Sequence, residues 1–347
     1  MFKVDIFQLE EILTDFGIDT KVKSFIELQR YHYEKHDPQS KEVRLIIKVE
    51  LNNQLPIVIR FKNETGVTLE LIENQSRFAS LLLKNGIETP NQYSCGGNYA
   101  KWYSVGNYDV IVTVEQFVEG ELQYIDSEIA EVTGSLLART HNIAEHADYH
   151  VHNDVLFNPL QENDLFSVIE FLRYKDQLMS IEPDLYKSII SQYEECLDRI
   201  SVFRDEPRYA VQGDISDCNL YKTEDGKIGM FDFNRCGDNN LYFDAIMQAV
   251  FVARLMNYPD NYTVKSEELI LPAFLRGYNR ERPFSDMQKR IYPYLYAVIN
   301  AFWSADIIWN DNNLRHSIEA GDKEKISMWM KEIDRRIHTL FEIPLAY

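Results

Sequence analysis

Hydrophobic positions change their period partway along the chain. Between residues 40 and 120, EVRLIIKVEL, PIVIRFKN, KWYSVGNY and YDVIVTVEQFV are rich in β-branched and aromatic residues, with turn-like NNQLP and CGGN among them. Such runs predict strands. One helix interrupts them, TLELIENQSRFASLLLKNG, with Leu69, Ile72, Leu81 and Leu82 as its apolar face and Gly86 with IETP as its stop. Ahead of the strands, Ile6, Leu9, Ile12, Leu13 and Phe16 fall at helical spacing among acids. From about Ser127 the period is helical, through SEIAEVTGSLLARTHNIAEH, DLFSVIEFLRYKDQLM, LYKSIISQYEECLDRI and nearly everything after Leu241. A single β-like insert breaks this half: NLYKTEDGKIGMFDF reads as two short strands joined by a turn at Glu224, Asp225 and Gly226. The boundary between the two textures falls near Glu119 and Gly120.

Composition adds limits rather than a function. The chain has 347 residues, 45% hydrophobic and 26% charged, enough for two lobes with a core each. A net charge of −19 counts against nucleic-acid binding, because a polyanion is held by a positive field that this chain lacks overall. The same charge suits either plain solubility or attraction of a cationic, polyamine-like ligand. The N-terminus has no basic head or unbroken apolar segment, and runs such as DVIVTV and FASLLL fall far short of a membrane span. A soluble, cytoplasmic protein with no membrane partner is expected. Cys95, Cys196, Cys218 and Cys236 are dispersed without a C-x-x-C pair, which suggests neither a disulfide framework nor a zinc site.

Candidate chemistry gathers in VQGDISDCNLY and GMFDFN, from Val211 to Asn234. Asp214 follows a glycine, Asn219 comes five residues later, and Asp232 ends an apolar run thirteen residues beyond that. A loop carboxylate can accept the proton of an attacking hydroxyl, and an Asn with a second Asp can hold magnesium through oxygen atoms. In kinases these parts appear as D-x-x-x-x-N followed by D-F-G; here DFN replaces DFG.

These segments resemble the aminoglycoside phosphotransferase and choline kinase superfamily, which has the protein-kinase-like fold. QGDISDCNLY with GMFDFNRCGDNNLYFD is similar to that family's H-G-D-x-x-x-x-N and I-D-F-D-like strand end. GSLLARTHNI resembles the helix after its hinge, and FLRGYNRERPFSD the segment that opens its last helices. The resemblance covers most of the chain. It implies an α+β, two-lobed fold: a small antiparallel-sheet N-terminal lobe with one main helix over residues 1–118 for the nucleotide, and a larger, mainly helical lobe over 119–347 for catalysis and the acceptor.

Carried over position by position, Asp214 is the catalytic base or substrate-orienting carboxylate. Asn219 and Asp232 ligate Mg2+ bridging the phosphates of ATP or GTP, the hairpin between them bringing Asp232 back beside Asn219. Asp244 matches a family Asp with a structural role. Gln212 stands where the family usually has His; a Gln amide also donates and accepts, yet the substitution leaves a nucleotide-binding pseudokinase with a regulatory or scaffold role as the alternative. In the first half a cation must neutralise the phosphates. Strand alternation puts Arg60 and Lys62 on one face, and the family pattern favours Arg60. Glu73 is the expected ion-pair partner from the helix, with Gln75 as its competitor. No G-x-G-x-x-G precedes the strands, which fits the small-molecule branch, and VEQFVEG resembles the hinge segment, placing adenine against the main chain of Gln116 and Val118. The expected activity is phosphorylation of a hydroxyl on a small molecule: an aminoglycoside, choline or ethanolamine, homoserine, a sugar or a spore-related metabolite. A protein substrate is disfavoured, since no A-P-E-like segment follows Asp232.

Other clusters have plainer readings. His141, His146, His150 and His152 crowd beside Asp148 and Asp154, with a spacing that matches no standard zinc motif, and His141 matches a family packing position. Tyr292, Tyr294, Tyr296, Trp303 and Trp309 form either core or an aromatic wall for an amine, for which Asp306 and Glu281 are possible acidic partners. Cys218 and Cys236 bracket the site without an assigned redox role.

Overall fold

The computed structural model describes residues 1–153, 157–161, 168–255 and 266–345. Helix α1 (Ile6–Asp15) leads into strands β1 (Val22–Arg30), β2 (Val43–Leu51) and β3 (Ile57–Asn63), then α2 (Leu69–Lys84), β4 (Ala100–Val105) and β5 (Tyr108–Gln116). Next come α3 (Ser127–His146), α4 (Val168–Arg173), α5 (Lys175–Ile181) and α6 (Pro183–Ile200). Four short strands follow: β6 (Tyr209–Val211), β7 (Leu220–Lys222), β8 (Ile228–Met230) and β9 (Gly237–Asn239). The remainder is α7 (Leu241–Leu255), α8 (Ser266–Glu281), α9 (Asp286–Ala301), a π-helical turn at Ala305–Trp309, α10 (Leu314–Glu319) and α11 (Lys323–His338). This is the mixed architecture expected, an antiparallel sheet with helices and then a helical body. Among the described residues no helix is long and apolar enough to cross a membrane.

The chain divides into two compact units, Met1–Gln123 with Asp214–Cys236, and Tyr124–Gly213 with Gly237–Tyr347. A single cut between residues 118 and 119 differs from this division in two respects: the first boundary falls after Gln123, and the segment with the β7–β8 hairpin groups with the N-terminal unit. Backbone hydrogen bonds explain why. Leu122 and Lys222 donate to the carbonyls of Leu220 and Gly120, and Met230 donates to Glu88, at 3.1, 2.8 and 2.9 Å. Gly120 has φ +89°, and a Cβ there would lie 2.3 Å from the Lys222 carbonyl, so only glycine allows this seam.

In the first unit the sheet is antiparallel in the order β1-β2-β3-β5-β4. Alternation separates its faces. Leu45, Ile47, Val49, Ile57, Ile59, Phe61, Val110, Val112 and Val114 form one core with Leu9, Ile12, Leu13 and Phe16 from α1 and the turn after it. Ile6, read as part of that stripe, is exposed. Helix α1 starts at a reciprocal cap in which Asp5 accepts from Gln8 N and the Gln8 side chain accepts from Asp5 N. On the opposite face the register lines up Ile46, Arg60 and Thr113 in one row and Arg44, Lys62 and Ile111 in the next. Helix α2 begins at the Thr68 cap. It buries Ile72, Gln75, Ser76, Phe78, Ala79, Ser80 and Leu82, whereas Leu69 and Leu81, placed on its apolar face from the sequence, are only partly buried. Strand β1 was not foreseen. It is an edge strand with register irregularities, and Val22 is its one fully buried position, so no alternation marks it.

The second unit is helical apart from the two-stranded β6–β9 ladder, which the reading of an all-helical body omitted because three-residue strands carry no periodic signal. Its helices α3 and α8 meet glycine to backbone. A Cβ on Gly134 would fall 2.0 Å from the Phe274 carbonyl oxygen, and one on Gly277 would fall 1.8 Å from that of Glu131. Alanine normally favours a helix over glycine by about 1 kcal/mol. Here Gly277→Ala is expected to destabilise instead, by about 1–3 kcal/mol from overpacking. Urea unfolding checks this; an unchanged or raised stability would show that the two helices separate at no cost.

Candidate active site

Asp214, Asn219 and Asp232 all lie in the first unit, in the segment that carries the β7–β8 hairpin. The loop before the hairpin is wound tightly. Gly213 has φ +81°, Ser216 N donates to the Asp214 carbonyl at 3.1 Å, and Asn219 N donates to the Ser216 carbonyl at 2.9 Å. Asn219, buried at 7% exposure, also donates through Nδ2 to the Asp214 carbonyl at 2.9 Å. That leaves Oδ1 as its metal-competent atom. β7 pairs with β8 so that Leu220 faces Met230, and Phe231 N donates to the Asn219 carbonyl at 3.0 Å. The hairpin thus returns the chain to Asn219 immediately before Asp232.

Asp232 has φ +56°, a left-handed conformation that costs a non-glycine residue about 1–3 kcal/mol. Its Oδ1 accepts from Asn234 N at 3.2 Å, and its Oδ2 lies 3.8 Å from Arg60 Nη1. The Asp214 carboxylate has Arg235 Nε 3.5 Å away. Burial pushes the Asp214 carboxyl above the usual carboxylate range, with Arg235 pulling it down and Asp232 pushing it up. One partly desolvated carboxylate beside two oxygen donors suits proton acceptance next to a divalent ion.

A cleft on this face of the sheet is lined by Arg44, Arg60 and Lys62 among others, with Gln75 from α2 and Asp232 and Asn234 from the turn. Both cations proposed from strand alternation therefore face it. Arg60 donates through Nε to Glu115 Oε1 at 2.9 Å, and its Nη2 is 2.8 Å from the same atom. Burial works against the Arg60 charge, but Glu115 and Asp232 outweigh it and raise the guanidinium above the usual arginine range. Arg60 Nη1 is buried and has no hydrogen-bond partner. Lys62 donates to Asn234 Oδ1 at 3.1 Å, with Glu64 3.8 Å away. Burial, and then the neighbouring Arg44, bring its ammonium down to about 8.

The helix partner differs from expectation. Glu73 does not reach Arg60: its carboxylate accepts from Tyr99 N and Ala100 N at 2.7 and 2.8 Å and pairs with Arg77 at 2.6 Å. On α2 it faces the start of β4, while the competitor Gln75 faces the cleft. Glu115 on β5 holds the guanidinium instead, itself braced by Gln92 Nε2 at 2.9 Å. Glu115 was missed, although an acid in the run VIVTVEQ, in phase with Ile111 and Thr113, was the available signal. In the segment expected to form the hinge, the Gln116 amide already donates to the Asn91 carbonyl and that of Phe117 to Pro56, both at 2.9 Å. The Gln116 N–H is thus engaged, and the main chain of Val118 follows it.

No protein-family model and no curated protein matches the sequence. Solved structures do match. An aminopropanol kinase associated with a microcompartment superposes with a TM-score of 0.56 at 11% identity, covering 96% of this chain and 95% of that one. An amicoumacin kinase in complex with AMP-PNP, Ca2+ and its ligand gives a TM-score of 0.55 at 14% identity, covering 84% and 86%. The chain has the protein-kinase-like fold. At these identities the likeness is one of fold, and it agrees with the resemblance read from the Asp214, Asn219 and Asp232 segments.

The remaining clusters are accounted for within the second unit. His141 is fully buried, its Nδ1 2.9 Å from Tyr278 Oη and its Nε2 3.0 Å from Asp244 Oδ2. Both residues therefore brace the helices, as their positions suggested. His150 contacts Asp238 and Asp148 at the surface, His152 is exposed, and Asp154 lies outside the described residues. Among the described residues no group of three His, Cys, Asp or Glu side chains is arranged to hold a metal. The Arg254 guanidinium lies over the Trp303 ring at 5.1 Å, and Tyr296 donates to Glu267 at 2.7 Å. Asp306 pairs with Arg336 at 2.6 Å, and Glu281 accepts from Ser135 at 2.8 Å. These aromatic and acidic groups already have partners from the protein itself.

Lys62 yields a test. A lysine whose folded value is below its unfolded one destabilises the fold while it is charged in both states. That penalty is full below about 8 and fades as pH rises toward the ordinary lysine value of 10.5. Lys62→Met should raise the unfolding midpoint at pH 7, and the gain should shrink steadily from pH 8 to pH 10. A gain independent of pH would assign the effect to packing rather than to the buried charge.

Proposed function

We propose that this protein is a divalent-metal-dependent kinase that transfers the γ-phosphate of ATP or GTP to a hydroxyl of a small molecule. The observation that carries the reading is Arg60 Nη1, a buried donor without a hydrogen-bond partner, in a cleft that also presents the Asp232 carboxylate 3.8 Å from it. An orphaned buried guanidinium nitrogen calls for an anionic oxygen, and a nucleotide phosphate supplies one.

In this mechanism Arg60 donates from Nη1 to a phosphate oxygen while Nε and Nη2 stay on Glu115. Lys62 and Arg44, along the same face, add positive charge. The Asn219 Oδ1 and the Asp232 carboxylate would hold Mg2+; one carboxylate and one amide oxygen suit an ion whose other ligands are phosphates and water. When bound, the ion neutralises charge on the phosphate oxygens. Asp214 orients the acceptor hydroxyl and takes its proton, and the burial that raises its pKa makes it a stronger base than a fully solvated carboxylate. Positioning and electrostatics do most of the catalysis. The N-terminal unit then serves as the nucleotide-binding body, with the helical unit left to supply acceptor selection.

The two similar structures named above are an aminopropanol kinase and an amicoumacin kinase, which supports small hydroxylated acceptors as the first panel. The test is phosphate transfer from ATP or GTP with Mg2+ to amino alcohols, amino sugars, amino acids and sugars. Asp214→Asn is expected to lower turnover by about 10²–10⁴-fold while nucleotide binding by calorimetry stays within a few-fold. Turnover near the parent value in that variant would refute the base assignment. Nucleotide binding with no transfer to any acceptor and no slow hydrolysis would favour a binding protein, in line with Gln212 in place of His.

A further inference from the structure

Helix α2 turns Gln75 into the cleft, with Ser76 beside it. Gln75 is 4% exposed, among the apolar positions Ile72, Ala79 and Leu82 of the same helix. Burying a carboxamide without partners is costly, yet its Nε2 donates to two carbonyl oxygens, those of Asn234 at 3.0 Å and Cys236 at 3.1 Å. Both belong to the turn that follows Asp232.

Asn234 is tied at three atoms. Its N–H donates to Asp232 Oδ1 at 3.2 Å, its carbonyl accepts from Gln75, and its Oδ1 accepts from Lys62 at 3.1 Å. The neighbouring Phe233 ring meets Phe78 of α2 edge-on at 6.1 Å between centroids. A strand and a helix thus grip the residues next to Asp232 from two directions, and Asp232 is the one held at φ +56°. Such a conformation persists only where its surroundings over-determine it.

We propose that Gln75, acting through Asn234, is a positioning residue that sets the direction of the Asp232 carboxylate and thereby the protein's affinity for its divalent ion. The inference rests on the metal role given to Asp232 above. It also explains why this helix position holds an amide. Both atoms it faces are acceptors, so a carboxylate there would repel them, whereas the guanidinium on β3 already has its acid in Glu115.

The experiment uses the full chain with AMP-PNP and follows free Mn2+ by electron paramagnetic resonance, with thermal unfolding of the unliganded protein in parallel. Gln75→Glu, Gln75→Leu and Gln75→Ala should each raise the Mn2+ midpoint by about 10–100-fold, the usual effect of removing a group that orients a ligand. Ser80→Ala, on the same helix with its hydroxyl on Tyr99, should leave the midpoint unchanged. Two leucine- or alanine-type variants keep the test open if Gln75→Glu fails to fold. Lower melting temperatures with unshifted Mn2+ midpoints would overturn the inference alone, by making Gln75 a structural residue. Absence of nucleotide-dependent Mn2+ binding in the parent protein would overturn the kinase reading, and this inference with it.

Discussion

A half-buried guanidinium on one face of the β-sheet, its Nη1 shut away from solvent, is the constraint around which the site is arranged. Taking the Arg60 charge out of water costs several kcal/mol unless anions surround it, and the sheet provides Glu115 at close range. Among the described residues the other acid within 4 Å is Asp232, delivered from more than a hundred residues further along the chain. Satisfying Arg60 therefore couples the strand register of β3 and β5 to the docking of the β7–β8 hairpin. The alternation that buries Ile59 and Phe61 on one side of β3 is the same alternation that turns Arg60 and Lys62 to the other.

That coupling has a consequence for the helix. With Glu115 serving as the strand cation's acid, α2 need not supply one. Its cleft-facing position is a neutral donor that binds carbonyls, and its acid, Glu73, caps the free amides at the start of β4. The hairpin in turn groups with the sheet because Gly120 and Leu122 form backbone hydrogen bonds with Lys222 and Leu220. The proposed base, both proposed metal ligands and the phosphate cation consequently belong to one compact unit, although Asp214 and Arg60 are far apart in sequence.

Much of this was legible in the sequence. Dense β-branched runs located β2, β3 and β5, the Thr68-to-Gly86 signals bounded α2, and the Asp-Asn-Asp spacing marked the hairpin segment. The rest depended on information that periodicity does not carry. An edge strand with a single fully buried position has no alternation to read, which hid β1. Glu73 and Gln75 lie two residues apart on α2, so spacing alone could not say which faces the cleft; the backbone amides of Tyr99 and Ala100, which donate to Glu73, decided it. An aromatic series is equally consistent with a ligand wall and with a core, and periodicity could not foresee that Arg254 lies over the Trp303 ring.

The most direct test of the account is a crystal structure of the full chain with AMP-PNP and Mg2+. The account predicts a phosphate oxygen within hydrogen-bond distance of Arg60 Nη1, with Glu115 still on Nε and Nη2, and the ion held by Asn219 Oδ1 and the Asp232 carboxylate. A nucleotide bound away from this cleft, or Arg60 turned from the phosphates with its Nη1 on another protein group, would contradict it.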